Sequence, residues 1–295
     1  MIRPSAFAYN PETAESNVFQ KKSTLSNRQL QQKALLEFQD MIEQLKTAGI
    51  DLYIFDDPYN NSDSIFPNNW VSFHEDGTVV LYPMLAVNRR QERRIDILES
   101  LRTKMKITRI IDLTDYENKE IFLEGTGSIV FDHNNKKAYA ALSPRTDKNL
   151  FLSLCNTLEY KPVTFNSTDR NEIPLYHTNV MMTVAHNFVL FCSDSIKDAV
   201  QRTEILAELA SPGRNIIELT FVQMEQFAGN ALFLSGKNDT PFLLMSKAAL
   251  RSLRQDQKAT INEHCEILSP EIETIENTGG GSVRCMVAEI FLPTH

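Results

Sequence analysis

One cysteine sits in the run Thr278-Gly279-Gly280-Gly281-Ser282-Val283-Arg284-Cys285-Met286. Three consecutive glycines let a main chain adopt angles closed to other residues and lie close to a ligand, and they deliver the Cys285 thiol at the start of an apolar stretch. A thiol so placed is either a nucleophile or a small buried hydrophobe. As a nucleophile it needs a base, and the base needs an orienting group. Two other segments offer these. In Tyr176-His177-Thr178-Asn179-Val180, His177 stands at the entrance of a strongly apolar strand; in Leu123-Glu124-Gly125-Thr126-Gly127-Ser128, Glu124 sits between an apolar strand and a glycine turn. A carboxylate seldom occupies such a place unless paired, whereas a histidine there can equally be a satisfied structural residue. A fourth segment, Asp63-Ser64-Ile65-Phe66-Pro67-Asn68-Asn69-Trp70, sets two asparagines before the only tryptophan, as a simple turn or as a pocket wall. Thiol, imidazole and carboxylate form the set on which thiol hydrolases depend.

The elements that must position these residues follow from hydrophobic spacing. Five substantial helices are expected to begin near residues 26, 90, 146, 195 and 246, at spacings of roughly 50 to 60 residues, with strands between them. The first carries a Ser26/Gln29 capping box and ends at Gly49; Val71-Ser72-Phe73 and Val79 to Tyr82 read as a hairpin; Val283 to Leu292 reads as a final strand. The simplest organisation is one α/β unit used five times around a central cavity, within a single domain spanning residues 1–295; two unrelated α+β halves are the alternative.

Composition narrows the partners. With 295 residues, 42% hydrophobic and 23% charged, the chain has the make-up of a soluble globular protein. A net charge of −8 argues against nucleic acid or an anionic membrane surface. The start of the chain lacks the apolar core of a secretory leader and no run is long enough to span a bilayer, so a cytoplasmic location is expected. The four cysteines, Cys155, Cys192, Cys265 and Cys285, are too scattered for a disulfide framework or a zinc site.

In this order the motifs carry a resemblance that runs nearly end to end, from Arg3-Pro4 to Cys285. The chain resembles the pentein superfamily, the five-bladed α/β propellers that include arginine deiminases, dimethylarginine dimethylaminohydrolases and amidinotransferases, and it is most similar to the citrulline-utilisation hydrolases among them. The resemblance implies that Cys285 is the nucleophile, His177 the general acid/base and Glu124 the carboxylate that orients it. It places Asn69, Asn68, Asp63 and Asn179 at the reacting end of the substrate. Arg145, and by a weaker match Arg89, fall on the arginines that hold the substrate's α-carboxylate; an exposed helical position is the other reading of Arg89. Two departures stand out: Asn69 and Asn179 replace carboxylates that arginine-processing relatives set against a cationic guanidinium. A buried carboxylate facing a neutral ligand would be costly, while an asparagine both donates and accepts. The implied reaction is therefore cleavage of the ureido group of citrulline to ornithine, carbon dioxide and ammonia, with no metal or organic cofactor. The implied partner is a small amino acid, and homo-oligomerisation is left open. Deiminase or dimethylaminohydrolase activity, a non-catalytic small-molecule-binding pentein and a peptide-cleaving thiol hydrolase are the alternatives.

Overall fold

The computed structural model describes residues 1–295. Near the start, β1 (Ile2–Arg3) and the short α1 (Pro11–Ala14) precede α2 (Asn27–Thr47), which leads to β2 (Phe55–Asp56), paired in parallel with β1. The predicted capping box opens α2: Ser26 Oγ accepts from the Gln29 amide at 3.4 Å, and Gln29 Oε1 accepts from the Ser26 amide at 3.0 Å. Its buried stripe is Leu30, Ala34, Phe38, Met41, Ile42 and Leu45, and Gly49 ends it at φ +74. Each large side chain of that stripe contributes about 1.5–3 kcal/mol by leaving water.

Four units of one pattern follow. The first is β3 (Val71–Phe73), β4 (Thr78–Leu81), α3 (Ile95–Arg102) and β5 (Arg109–Asp112). After a single turn of helix, α4 (Gly125–Ser128), come β6 (Val130–Asp132), β7 (Lys137–Leu142), α5 (Lys148–Thr157) and β8 (Lys161–Asn166). The third unit is β9 (Met182–Val184), β10 (Phe188–Phe191), α6 (Ala199–Leu209) and β11 (Asn215–Glu218). Beyond the short α7 (Phe221–Glu225), the fourth is β12 (Leu232–Ser235), β13 (Pro241–Leu244), the pair α8 (Lys247–Ser252) and α9 (Gln255–Asn262), and β14 (Glu266–Leu268); α10 (Glu273–Gly279) then leads to Cys285. In every unit the first two strands form an antiparallel hairpin and the third lies parallel to the second, reached through a helix. The β1–α2–β2 segment repeats the second half of that pattern.

The first strands β3, β6, β9 and β12, together with residues 284–294, bound a cavity of about 710 Å³. Residues 283–292 do not form the expected strand. The amides of Cys285, Met286 and Val287 bond to the carbonyls of Ser282, Val283 and Arg284 at 2.9–3.4 Å, making successive turns, and Ile290 alone bridges to Phe73. The run is apolar because Val283, Met286 and Val287 enter the core beneath α2, and apolarity by itself does not separate a strand from packed turns.

The helix expected from Arg90 begins later. Residues Val87–Glu92 make a 3-10 segment instead, and α3 buries Ile97, Leu98 and Leu101 while Ile95 stays 53% exposed. Within that segment Arg89 pairs with Glu92 at 2.8 Å and both are buried. No helix is long and apolar enough to cross a membrane.

Candidate active site

Glu124 caps α4, and the backbone around it leaves no choice of neighbour. Gly125 has φ +46, and a Cβ there would lie 2.2 Å from the Asn68 carbonyl oxygen; at Gly127 it would lie 2.7 Å from the His177 ring. The two glycines thus let the Asn68-Asn69 turn and the His177 imidazole close on the carboxylate. Glu124 is fully buried, and its oxygens are all engaged: Oε1 accepts from the Leu85 amide at 3.0 Å, and Oε2 from His177 Nε2 at 2.9 Å and Arg145 Nη1 at 3.3 Å. Burial pushes this carboxyl up, but Arg145, the His177 hydrogen bond and Arg89 outweigh it and hold it well below the usual carboxylate range. Because Glu124 accepts from Nε2, the imidazole carries its proton there and leaves Nδ1 as the lone-pair nitrogen.

Burial drives the His177 imidazole down to about 4, against the upward pull of Glu124. His74 and His133 are likewise pushed down to about 4, chiefly by burial. In the unfolded chain these imidazoles take up protons near pH 6.5, in the folded chain only near pH 4. The unfolded state therefore binds more protons throughout that window, and stability falls as pH is lowered through it. Thermal melts from pH 7 to pH 4 are expected to show a midpoint that declines steadily below pH 6.5; a flat profile would refute these burial-driven shifts.

The asparagine turn is fixed from behind. Arg89 is buried; it holds Glu92 through Nε and Nη2 at 2.8–3.2 Å and donates from Nη1 to Asn69 Oδ1 at 2.9 Å. Its donors are thus directed at protein groups rather than at a ligand. Asn69 Nδ2 and both amide atoms of Asn68 have no protein partner. Asp63 accepts through Oδ2 from Asn10 Nδ2 at 2.8 Å and Thr13 Oγ1 at 3.1 Å, leaving Oδ1 unpartnered.

Cys285 follows the α10 C-terminus, where Gly280 at φ +64 is the left-handed cap; it is the one glycine of the three with a positive φ. The Gly280 carbonyl accepts from Tyr176 Oη at 2.6 Å and Asn17 Nδ2 at 3.1 Å. The thiol is buried, and its sulfur has Asn179 Nδ2 at 3.6 Å and Asn230 Nδ2 at 3.4 Å.

A small cavity of about 20 Å³ gathers Asp63, Asn69, Arg89, Arg145, His177 and Cys285. Glu124 and Asn68 stand directly behind its wall, and Asn179 reaches the sulfur from the side of the larger cavity. Arg145 is placed differently from a free anion receptor: Nε and Nη2 donate to Ser16 Oγ at 3.0 and 2.6 Å, and Nη2 also to the Thr13 carbonyl at 2.9 Å. Its guanidinium lies over the Tyr176 ring, 5.2 Å from the centroid. Sequence reasoning missed the covering segment, Thr13, Ser16 and Asn17, because polar residues of this kind favour local turns and carry no sign of their distant partners Arg145 and Gly280. It also left open whether Asn230 lines the pocket, since a single asparagine after Gly229 gives no periodic signal.

Such an arrangement can do thiol chemistry on a small polar molecule: a sulfur atom and an imidazole with one free nitrogen line one small space, and the paired carboxylate stands behind the imidazole. Comparison with known proteins agrees in fold. The N-terminal domain of ArgZ with bound substrate, an arginine dihydrolase from the ornithine–ammonia cycle in cyanobacteria, matches at 17% identity and a TM-score of 0.73, over 99% of this chain and 98% of that one. AgrE in complex with L-arginine matches at 17% identity and a TM-score of 0.74, over 97% of this chain and 39% of the longer AgrE chain. A dimethylarginine dimethylaminohydrolase adduct with a chloropyridine matches at 14% identity and a TM-score of 0.63, over 90% and 92%. No curated protein matches the sequence. The profile of the eukaryotic N,N dimethylarginine dimethylhydrolases matches residues 3–292, so the chain belongs to that family of pentein hydrolases, enzymes that act on C–N bonds.

Proposed function

We propose that this enzyme hydrolyses citrulline, in a single domain whose units close as a five-bladed propeller around the larger cavity. Residues 284–294 line that cavity beside the first strands of the four complete units, which supports their taking the place of a first strand, as packed turns, in the unit that β1, α2 and β2 complete. The observation that carries the substrate is Asn69. Its oxygen is taken by Arg89, which can only donate, so what Asn69 offers the cavity is the unpartnered Nδ2 donor. A ureido oxygen accepts from such a group, whereas a guanidinium presents only donors and would meet it donor to donor.

In this reading the Cys285 thiol gives its proton to His177 Nδ1 and the sulfur attacks the ureido carbon. The C–N bond to the side-chain nitrogen breaks, His177 returns the proton to that nitrogen, and ornithine leaves behind an S-carbamoyl enzyme. Water, deprotonated by His177, then releases carbamate, which decays to carbon dioxide and ammonia. Asn69 Nδ2 stabilises charge developing on the ureido oxygen, and Asp63 Oδ1 accepts from the ureido NH2. A space of about 20 Å³ holds one water, so citrulline enters as Thr13, Ser16 and Asn17 withdraw, and its carboxylate replaces Ser16 on Arg145.

One observation favours a second reading, a guanidinium substrate such as arginine or dimethylarginine: the free carboxylate oxygen of Asp63, which would pair with a cation. Purified protein incubated separately with citrulline, arginine and dimethylarginine, with ornithine, citrulline and ammonia assayed, separates the two. Ornithine from citrulline alone is the expected result. Ornithine from arginine, or citrulline from dimethylarginine, would overturn the neutral substrate.

A further inference from the structure

We propose that Asn230 is a catalytic residue of this enzyme, holding the Cys285 sulfur as a thiolate through its carboxamide N–H. The hydrogen-bonding groups at Sγ are two carboxamides, Asn230 Nδ2 at 3.4 Å and Asn179 Nδ2 at 3.6 Å, with Asn230 Oδ1 at 3.7 Å. Which end of the Asn230 amide faces the sulfur is fixed independently. Nδ2 also donates to the Asn179 carbonyl oxygen at 3.1 Å, an atom that can only accept, so the N–H2 end lies between carbonyl and sulfur. An amide with one proton on a carbonyl has its second free for the thiolate, and thiolate is a stronger acceptor than thiol.

The fold holds this residue in place more firmly than a filler requires. Asn230 is completely buried. A Cβ at the preceding Gly229 would lie 2.5 Å from the Val180 carbonyl oxygen, so only glycine lets the segment approach the turn before β9 so closely. On either side of Asn230, the carbonyls of Gly229 and Ala231 both accept from Thr183 Oγ1, at 2.7 and 3.0 Å. Phe227 at φ +60 turns the chain into this position. The carboxamide is thus pre-set beneath the sulfur before any ligand arrives.

Its need follows from the proposed substrate. A guanidinium brings positive charge next to the sulfur and favours the thiolate by itself, whereas a neutral ureido group brings none, so the stabilisation must reside in the protein. This rationale rests on the citrulline reading; the contact does not.

The test is alkylation of the intact enzyme by iodoacetamide without substrate, with Cys285 occupancy followed by peptide mass spectrometry from pH 5 to 10. The other thiols leave the readout clean, because burial pushes Cys155 and Cys192 up to about 12 and Cys265 to about 11. Asn230→Ala is expected to slow Cys285 alkylation at pH 7 by about tenfold while the plateau rate at high pH is kept, since one hydrogen bond to a charged group is lost. Asn230→Asp, of the same shape, places an acceptor and a negative charge there and slows it further; it also serves if the alanine variant does not fold. A loss of structure would alter the plateau rate, whereas the proposed role displaces the curve along the pH axis. Wild-type profiles in both variants would overturn the assignment. If the profiles move but citrulline is not consumed by the wild-type enzyme, the substrate reading fails and the role of Asn230 stands.

Discussion

Replacing Cys285 by serine is expected to lower ornithine release from citrulline by at least about 10⁴-fold while leaving citrulline binding largely intact. The exchange keeps the shape of the small cavity, since a hydroxyl replaces a buried thiol without disturbing Asn69, Asp63 or Arg145 around it. What is lost is the sulfur, a far stronger nucleophile than a hydroxyl oxygen. A neutral imidazole, as burial makes His177, can accept a thiol proton but has little drive to remove one from serine. Steady-state ornithine assay paired with calorimetric titration of citrulline separates chemistry from binding. Full activity in the serine variant would remove Cys285 from the mechanism.

The largest expected effect on stability comes from Arg145→Met. Glu124 would be left fully buried with only the His177 imidazole and the Leu85 amide as partners, and stranding one member of a buried ion pair costs about 3–5 kcal/mol. Methionine fills similar volume against Tyr176, so the loss reports charge more than packing. Adding Glu124→Gln should recover part of it, because the stranded charge disappears. Urea titration of both variants reads this directly, and an unchanged midpoint in Arg145→Met would show that Arg145 does not stabilise Glu124. The sign with pH agrees. The Glu124 carboxyl is depressed in the folded state, so its contribution is present above the ordinary value of 4.5 and fades as pH falls below it. That acid-side loss shrinks in Arg145→Met.

Local signals in the sequence specify some of these residues and say nothing of others. Ser26 and Gln29 announced α2, and the Val71–Phe73 hairpin was plain, because capping and alternation are local signals. Cys285, His177 and Glu124 could be chosen by residue type and context, and the structure brings these three to one site. The fate of Arg89 was not legible: its neighbours Arg90, Arg93 and Arg94 suggest a solvated helix face, and only the distant Asn69 and the buried Glu92 show why it points inward. β8 escaped for a similar reason, since Pro162 weakens a strand pattern that a parallel pairing with Ala138 nonetheless sustains. The covering segment of Thr13, Ser16 and Asn17 acts on Arg145 and Gly280, partners far along the chain, and local patterning contains nothing of them.

These distant pairings also set how the protein folds. Asn17 bonds to Gly280 across 263 residues, the Glu37 carboxylate on α2 accepts from the Thr274 and Ile275 amides, and the stripe of α2 packs beside Ile272, Ile275 and Met286. During synthesis α2 emerges well before these apolar partners, which lie far along the chain. Until they follow, that stripe has only part of its cover, and partly exposed apolar surface of this kind is prone to aggregation. Refolding from denaturant is accordingly expected to be slow, and a chain stopped short of residue 272 contains the imidazole and the carboxylate yet lacks the sulfur and part of the core that seats α2.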